Sequence, residues 1–274
     1  MTSPGEAAME SPRRLLVLVA LAAVPASVTA QQHEEMQMHM QPGADRMKAS
    51  VQSPANGSRI TSEELTLQVA TAGFEDRCDL AGKPNRQGTG HYHVLLDKSL
   101  VDMYCGDRAT ISLERLKPGP HTVTVVPAQN DHTEIEHNAS SIKFSYAPSN
   151  PKPRAKEGAP AGTPSIKILS PKPGETVSGS FDVKIEVKNF DLTCDEMGRP
   201  TVPGHGHWHL NLDTMKGPMM GMMTMAAMSC EKTLHASTAG LKPESSHKLI
   251  ALLADNLHAP LMPEVADSVE VKIR

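Results

Sequence analysis

The chain contains an internal repeat that covers most of its length. Cys78 and Cys194 occupy equivalent positions 116 residues apart, and the same offset aligns a His-x-His tripeptide in each copy. Later matches follow after a nine-residue expansion in the second copy. The correspondences include His91-Tyr92-His93 with His207-Trp208-His209, Asp97 with Asp213, Cys105 with Cys230, and His132 with His258. A repeat of this size indicates two tandem copies of one folded unit.

Each copy spans roughly 100 residues, which is an ordinary size for a domain. We expect domains at residues 50–147 and 165–274, joined at 148–164 by an extended, Pro-rich linker. The segment 31–49 is polar and rich in His and Met. Because it has no core to bury, we expect it to be disordered.

Apolar residues alternate with polar residues in both copies, and this period of two is typical of half-buried strands. Examples are Leu65, Leu67 and Val69 in the first copy and Val183 and Ile185 in the second. Short strands separated by Gly and Pro turns predict an all-β fold of two tandem immunoglobulin-like β-sandwich domains. The segment Met215–Met228 contains the additional residues of the second copy, and we call it the expansion below. It is compatible with a short helix or a long loop.

Residues 1–30 have the pattern of a secretory signal peptide. Arg13-Arg14 precedes an apolar run at residues 15–24, and small residues lead to Ala30. The run has about ten residues, whereas a helix needs about 20 to span a bilayer. We expect cleavage near Ala30, a periplasmic or secreted mature protein, and no membrane span after cleavage. A retained N-terminal anchor is the alternative.

The four cysteines suit an exported chain, because an even number in an oxidising compartment favours disulfides. Four cysteines allow three pairings, and their order alone does not choose among them. Each copy of the repeat contains one pair. The repeat therefore favours Cys78 with Cys105 and Cys194 with Cys230.

Composition narrows the classes of function. The 274 residues include 27 Lys and Arg against 31 Asp and Glu, and this net charge of −4 argues against nucleic acid as a partner. The sequence lacks a nucleophile elbow, a phosphate-binding loop and a His-Glu-x-x-His motif, so we expect no catalysis. The chain has 13 His and 16 Met, and both residue types bind ions such as copper.

The His-rich strand of the second copy has the strongest metal-binding pattern. On a strand, His205, His207 and His209 project to one face and Trp208 projects to the other. Two imidazoles on one face can bind one copper or zinc ion if a third ligand comes from another part of the chain. The candidate for that ligand is His258, which follows a later strand.

The first copy has a shorter version of this pattern, with His91 and His93 on one face and His132 as the third candidate. The second copy is the better candidate because the Met-rich expansion lies beside it. The alternative for both copies is structural: the histidines cap a polar face or bond the loop between the cysteines. His121 and His247 are expected to be packed, hydrogen-bonded residues rather than ligands.

Methionine supplies a second group of candidate ligands. The expansion contains Met220 and Met223, and further Met and His residues alternate in the tail at residues 33–40. Thioethers favour Cu(I), so copper is the metal that the combined His and Met content favours. The alternative for the expansion is core filling or a surface that binds a partner.

Three motifs recur in order: a His-rich strand ending in Leu-x-Asp, a strand that begins after Leu-Lys-Pro, and a loop with Asn-x-His. They lie at residues 91–97, 116–123 and 130–132 in the first copy and at 207–213, 241–247 and 256–258 in the second. This pattern resembles a family of secreted bacterial β-sandwich domains of unknown function. The second copy departs from it by having Pro243-Glu244-Ser245-Ser246 in place of the Pro-Gly turn. The resemblance implies a sandwich fold and export, and it implies no activity.

These features predict an exported, non-catalytic protein that binds a metal ion, with copper favoured. An envelope protein is a further possible partner. The alternative hypothesis is an envelope or surface interaction module whose histidines are structural.

Overall fold

The computed structural model describes residues 40–155, 162–217 and 221–274. The predicted signal peptide lies outside these ranges, as do residues 31–39 of the predicted tail and Met220 of the expansion. Within the described ranges, no helix is long and apolar enough to cross a membrane.

The first copy of the repeat forms a sandwich of two sheets, called sandwich 1 below. Its strands are β1 (Lys48–Ser53), β2 (Ser58–Ile60), β3 (Glu64–Ala72), β4 (Glu75–Asp76), β5 (Thr89–Leu96), β6 (Ser99–Tyr104), β7 (Arg108–Ser112), β8 (Gly119–Ala128) and β9 (Ser140–Tyr146). One sheet has the order β1-β3-β7. The other has the order β2-β9-β8-β5, and both β4 and β6 pair with β5.

The second copy forms sandwich 2 with the same arrangement. Its strands are β10 (Ser165–Ser170), β11 (Thr176–Val177), β12 (Ser180–Lys188), β13 (Asp191–Leu192), β14 (His205–Leu212), β15 (Met225–Ser229), β16 (Thr233–Ser237), β17 (Ser246–Ala254) and β18 (Ala266–Ile273). One sheet has the order β10-β12-β16. The other has the order β11-β18-β17-β14, and both β13 and β15 pair with β14.

The strand order in each copy is that of an immunoglobulin-like Greek key. Among the seven long strands of a copy, the first, second and fifth form one sheet, and the third, sixth and seventh form the other. The fourth long strand joins the third. The predicted all-β fold of two tandem immunoglobulin-like β-sandwiches is therefore confirmed.

Each sandwich has its own apolar core, built by the alternation seen in the sequence. Strand β3 buries Leu65, Leu67 and Val69, and β12 buries Val183 and Ile185. In each strand, the residues that alternate with these buried ones point to solvent, because successive side chains of a strand project to opposite faces. The two cores consist mainly of Leu, Ile, Val and Ala, since only 3% of the residues in the chain are aromatic.

Both disulfides lie within a single copy of the repeat. Cys78 is bonded to Cys105 and Cys194 to Cys230. This is the pairing that the repeat predicted. In each copy the bridge connects the segment before the His-rich strand to the segment after its neighbouring strand.

The described part of the expansion differs from both structures expected for it. A short 3-10 turn at Met222–Thr224 leads directly into β15, which pairs antiparallel with β14. The expectation of a helix or a loop is wrong at residues 225–228, because the open edge of β14 provides backbone groups for a further strand.

Residues 40–49, which were expected to belong to a disordered tail, are partly built into sandwich 1. A 3-10 turn covers Ala44–Arg46, and β1 begins at Lys48. Ala44 and Met47 are buried against Ile135. Apolar burial therefore fixes this segment despite its polar surroundings in the sequence.

One partly buried carboxyl group makes the stability of sandwich 1 sensitive to pH. Asp102 lies on β6 opposite Val94, and burial raises its pKa to about 7 although its carboxylate accepts a hydrogen bond from the Met103 amide. Since the folded-state pKa is raised, the folded state binds the proton more tightly than the unfolded state. The carboxyl group therefore destabilises the fold increasingly as the pH rises from about 4 through 7.

We expect Asp102→Asn to stabilise the protein more at pH 8 than at pH 5, with a difference of at least about 1 kcal/mol. Urea unfolding at the two pH values measures this. The matched control is Asp107→Asn, which neutralises an exposed carboxylate in the same sandwich. Equal effects of Asp102→Asn at both pH values would contradict the prediction.

Candidate metal centres

The two His-rich strands direct their histidines away from the cores of their own sandwiches. Tyr92 of β5 and Trp208 of β14 are completely buried in the two cores. Their sequence neighbours project to the opposite face, as strand parity predicts. Those neighbours are nevertheless buried as well, because the second face of each strand is also covered.

The third histidine of each copy comes from a tight turn after β8 or β17. His132 and His258 each have a left-handed backbone with φ 64°. The turns are closed by hydrogen bonds from the His132 amide to the Gln129 carbonyl and from the His258 amide to the Asp255 carbonyl. This conformation is uncommon for residues other than glycine. It turns each imidazole back toward the preceding sheet.

In sandwich 1, His91, His93 and His132 each bring one ring nitrogen to a common point, and we call this group triad 1. The Nε2 atom of His91 lies 3.1 Å from Nε2 of His93 and 3.1 Å from Nδ1 of His132. The third distance, from His93 Nε2 to His132 Nδ1, is also 3.1 Å. The three nitrogens thus form an equilateral triangle.

In sandwich 2, His207, His209 and His258 form triad 2 with the same atoms. His207 Nε2 lies 2.8 Å from His209 Nε2 and 3.1 Å from His258 Nδ1. The distance from His209 Nε2 to His258 Nδ1 is 3.4 Å. The duplication therefore preserves both the residues and the ring nitrogens that meet.

Both triads could hold a metal ion. Metal–imidazole bonds are about 2.0–2.1 Å long, and a point about 1 Å above the plane of triad 1 satisfies that distance for all three nitrogens. The three histidines then occupy one side of the ion. Neutral imidazole nitrogens suit copper and zinc, and three of them leave one coordination position open.

In triad 1, hydrogen bonds on the far side of two rings determine which nitrogens are free. His93 Nδ1 lies 2.6 Å from Glu134 Oε1, and His132 Nε2 lies 2.7 Å from the Met225 carbonyl oxygen. Because both oxygens are acceptors, these two ring nitrogens donate. His93 Nε2 and His132 Nδ1 therefore present lone pairs to the centre of the triad, as in histidine metal sites whose outer contacts fix the tautomer.

In triad 2, only one of the two corresponding hydrogen bonds is present within the described residues. His258 Nε2 lies 3.2 Å from the Leu100 carbonyl oxygen, which leaves His258 Nδ1 as the acceptor. The position of Glu134 is taken by Pro260: the backbone bridge of Ala128 with Glu134 corresponds to that of Ala254 with Pro260. The hydrogen bonds on the far sides of the rings thus favour triad 1 as a metal site, whereas the sequence favoured the second copy.

Burial keeps five of the triad histidines neutral. Desolvation, followed by the charge of neighbouring histidines, lowers the pKa of His91, His207 and His209 well below the usual range. Desolvation also lowers the pKa of His132 to about 3 and that of His258 to about 4. Since metals bind neutral imidazole, these five ligands stay in their binding form in mildly acidic solution.

Within the described residues, His205 and Met223 are the other predicted metal ligands, and each makes contacts of its own. His205 is not a member of triad 2; its Nδ1 lies 3.2 Å from Asp191 Oδ2 near the surface. Met223 packs over Gly217, and its amide donates to the Lys216 carbonyl. Met220 and the tail residues 33–39 lie outside the described part of the chain.

His121 and His247 are packed, hydrogen-bonded residues, as predicted. His121 Nδ1 lies 2.6 Å from Asp97 Oδ2, and His247 Nδ1 lies 2.8 Å from Asp213 Oδ2. The duplicated histidine–aspartate pair joins the start of a strand to the turn after the His-rich strand. It is separate from the triads.

Three further residues are bonded to or paired with triad histidines and were not among the predicted ligands. Glu134 orients His93 and has no equivalent in the second copy. Strand register places Met103 directly opposite His93 and Met228 directly opposite His209, so each thioether side chain is on the same face as its histidine. Both Met residues precede the second cysteine of their copy by two positions, and this duplicated spacing was available in the sequence.

Comparisons with known proteins add little to this description. No protein-family model matches the chain, and no curated protein matches it. The resemblance to secreted bacterial sandwich domains therefore remains a resemblance of motifs.

Among solved structures, the fibronectin(III)-like modules of Clostridium thermocellum CbhA are similar over 82% of this chain and 94% of theirs, with 12% identity and a TM-score of 0.26. The N-terminal four Ig domains of Dscam1 isoform 4.44 match over 84% of this chain and 46% of theirs, with 9% identity and a TM-score of 0.21. TM-scores this low carry no argument, and the fold assignment rests on the strand order.

Proposed function

We propose that the chain is an exported, non-catalytic copper-binding protein that holds one ion in triad 1 and one in triad 2. The observation that carries the proposal is the 3.1 Å contact between His93 Nε2 and His132 Nδ1. Both nitrogens are acceptors, because their rings donate to Glu134 and to the Met225 carbonyl. Two buried lone pairs at this distance repel each other, and a cation between them removes the repulsion.

The single remaining proton donor in triad 1 does not resolve this contact. His91 can carry a proton on Nε2 and donate it toward the other two rings, but its Nδ1, which has no hydrogen-bond partner among the described residues, is then an acceptor. The lone pairs of His93 and His132 still face each other. A bound ion uses all three lone pairs at once.

Charge favours Cu(I) over divalent ions. The triad residues are at most 6% exposed, and the cost of burying an ion grows steeply with its charge. Glu134 supplies one negative charge beside triad 1, which balances a monovalent ion, and triad 2 has no equivalent carboxylate. Met103 and Met228, opposite His93 and His209, place soft thioether side chains on the same face.

Cu(I) titration of the chain without residues 1–30, in competition with a chromogenic chelator, tests the proposal. We expect two ions per chain and weaker binding of Zn²⁺. The variant His207→Ala/His209→Ala should bind one ion, and so should His91→Ala/His93→Ala. The matched control His137→Ala/His235→Ala removes two exposed histidines and should bind two. Unchanged stoichiometry in either triad variant would refute that triad as a site.

A structural role for the same histidines is the second candidate function, and one observation favours it. His132 and His258 each donate to a backbone carbonyl of the other sandwich. In an interaction module these contacts would hold the two sandwiches together without metal. Under this alternative, the His207→Ala/His209→Ala variant changes stability and leaves Cu(I) uptake at the level of the parent chain.

A further inference from the structure

Each triad is completed by backbone of the opposite sandwich. The Met225 carbonyl that orients His132 belongs to β15 of sandwich 2, and the Leu100 carbonyl that orients His258 belongs to β6 of sandwich 1. Strands β6 and β15 are equivalent in the repeat. The two contacts are therefore one interaction made twice, with the roles of the sandwiches exchanged, as in the interface of a symmetric dimer.

Two glycines show how closely the sandwiches approach at these points. A Cβ atom on Gly82 would lie 2.5 Å from the Met225 carbonyl carbon, and one on Gly198 would lie 2.9 Å from the Leu100 oxygen. Both glycines have a positive φ, 69° and 70°. The carbonyls that orient the triads are thus in direct contact with the partner backbone.

A pair of buried cations also holds this interface. Lys83 Nζ donates to the Ser237 and Ala239 carbonyls of sandwich 2, at 2.9 and 2.6 Å. At the equivalent position, Arg199 donates to the Ser112 carbonyl of sandwich 1, at 2.8 Å, and to that of Glu114. Lys83 and Arg199, the interface cations, are 4% and 6% exposed.

Burial of the triads follows from this arrangement. The histidines lie on the faces of β5 and β14 that point away from their own cores, yet the triad residues are 0–6% exposed. Met197 and Met228 of sandwich 2 pack against the core of sandwich 1. An ion in either triad therefore has the opposite sandwich in its path to solvent.

We propose that metal binding at the triads is coupled to the docking of the two sandwiches, which hold the ions while docked and release them when they separate. This inference rests on the proposed copper-binding function. Docked carbonyls fix the tautomers of His132 and His258, and separation frees both rings to rotate and exposes the ions to solvent. Coupling is reciprocal, so bound metal also strengthens docking. Lys83 and Arg199 act as positioning residues, because they touch no triad atom.

The test weakens docking without changing a ligand or its direct partner. In the Cu(I)-loaded chain, Lys83→Met/Arg199→Met should raise the rate of Cu(I) transfer to a chromogenic chelator by about tenfold or more. The control Lys143→Met/Lys167→Met removes two exposed cations from strands β9 and β10 and should leave the rate unchanged. An unchanged rate in the first variant, with looser docking shown by faster hydrogen exchange in β6 and β15, overturns the proposal.

The unaltered chain provides a second measurement that does not depend on the folding of a variant. Cu(I) should slow hydrogen exchange in β6 and β15 more than in the core strands β3 and β12. Equal protection of all four strands overturns the coupling, even if two ions bind, and the copper-binding function then stands alone. A chain that takes up no Cu(I) overturns both proposals.

Discussion

Acid should unfold the metal-free protein steeply, over about two pH units below pH 6. The pKa values of five buried histidines are lowered in the folded state: His91, His132, His207, His209 and His258. Their pKa in the unfolded chain is about 6.5, so below that pH the unfolded state binds more protons than the folded state. Stability is therefore fully present above about pH 6.5 and is lost as the pH falls toward the folded pKa values.

The size of this effect is comparable to the whole stability of a domain. Each such histidine contributes up to about 1.4 kcal/mol per pH unit, so five contribute up to about 7 kcal/mol per unit. Folded domains are stable by about 5–15 kcal/mol. Circular dichroism during acid titration, at fixed protein concentration and with chelator present, measures the midpoint and the number of protons taken up.

The number of protons taken up during unfolding distinguishes the contribution of the triads from that of other acid-sensitive groups. His91→Gln/His207→Gln removes two of the five histidines and should make the transition less steep, whatever its effect on the midpoint. Replacing the exposed His137 and His235 by Gln should leave the steepness unchanged. Bound Cu(I) should move the midpoint to lower pH, because protons then compete with the metal. A metal-free transition with an uptake near one proton contradicts the prediction.

Trp208→Ala should destabilise sandwich 2 by about 3–5 kcal/mol, the usual cost of removing a large buried aromatic side chain. Trp208 is completely buried in the core, and its indole nitrogen donates to the Glu231 carbonyl at 2.8 Å. The substitution leaves a cavity and removes the hydrogen bond to Glu231. Trp208 is the only tryptophan of the chain, so the variant has no tryptophan fluorescence. Urea unfolding followed by circular dichroism therefore measures the loss of stability.

Tyr92 is the matched position in sandwich 1 and provides the control. It is equally buried, and its hydroxyl group has no hydrogen-bond partner within the described residues. Tyr92→Phe therefore removes an unsatisfied polar group and should be neutral or stabilising by up to about 1 kcal/mol. A loss below about 1 kcal/mol for Trp208→Ala would show that the core of sandwich 2 rearranges to fill the space.

The repeat made much of the architecture predictable. Because two copies had to share one fold, the strand alternation of either copy supported the other, and one cysteine pair per copy selected the disulfide pairing. Strand parity placed His207 and His209 on one face and Trp208 on the other. Beyond the His-x-His pairs, the equivalent positions of His132 and His258 identified the third member of each triad.

Other features depend on contacts between residues far apart in the chain. Strand β15 forms from the expansion because its backbone groups hydrogen-bond to the edge of β14. The local sequence pattern does not show that this edge is available. His205 has the same strand parity as His207, but it lies at the start of β14, where it contacts Asp191 of the neighbouring β13 and does not join triad 2. Parity alone cannot show where along a strand the third ligand will arrive.

The sequence by itself determined the tandem sandwiches, the disulfides and the six histidines that form the triads, because each follows from periodicity or from duplication. Only the tertiary structure showed that each triad is covered by the sandwich to which it does not belong. That arrangement depends on the docking of two surfaces through Lys83, Arg199 and the carbonyls of Leu100 and Met225. Backbone carbonyls are present at every residue and leave no trace in the sequence, so the groups that orient His132 and His258 became visible only in the folded chain.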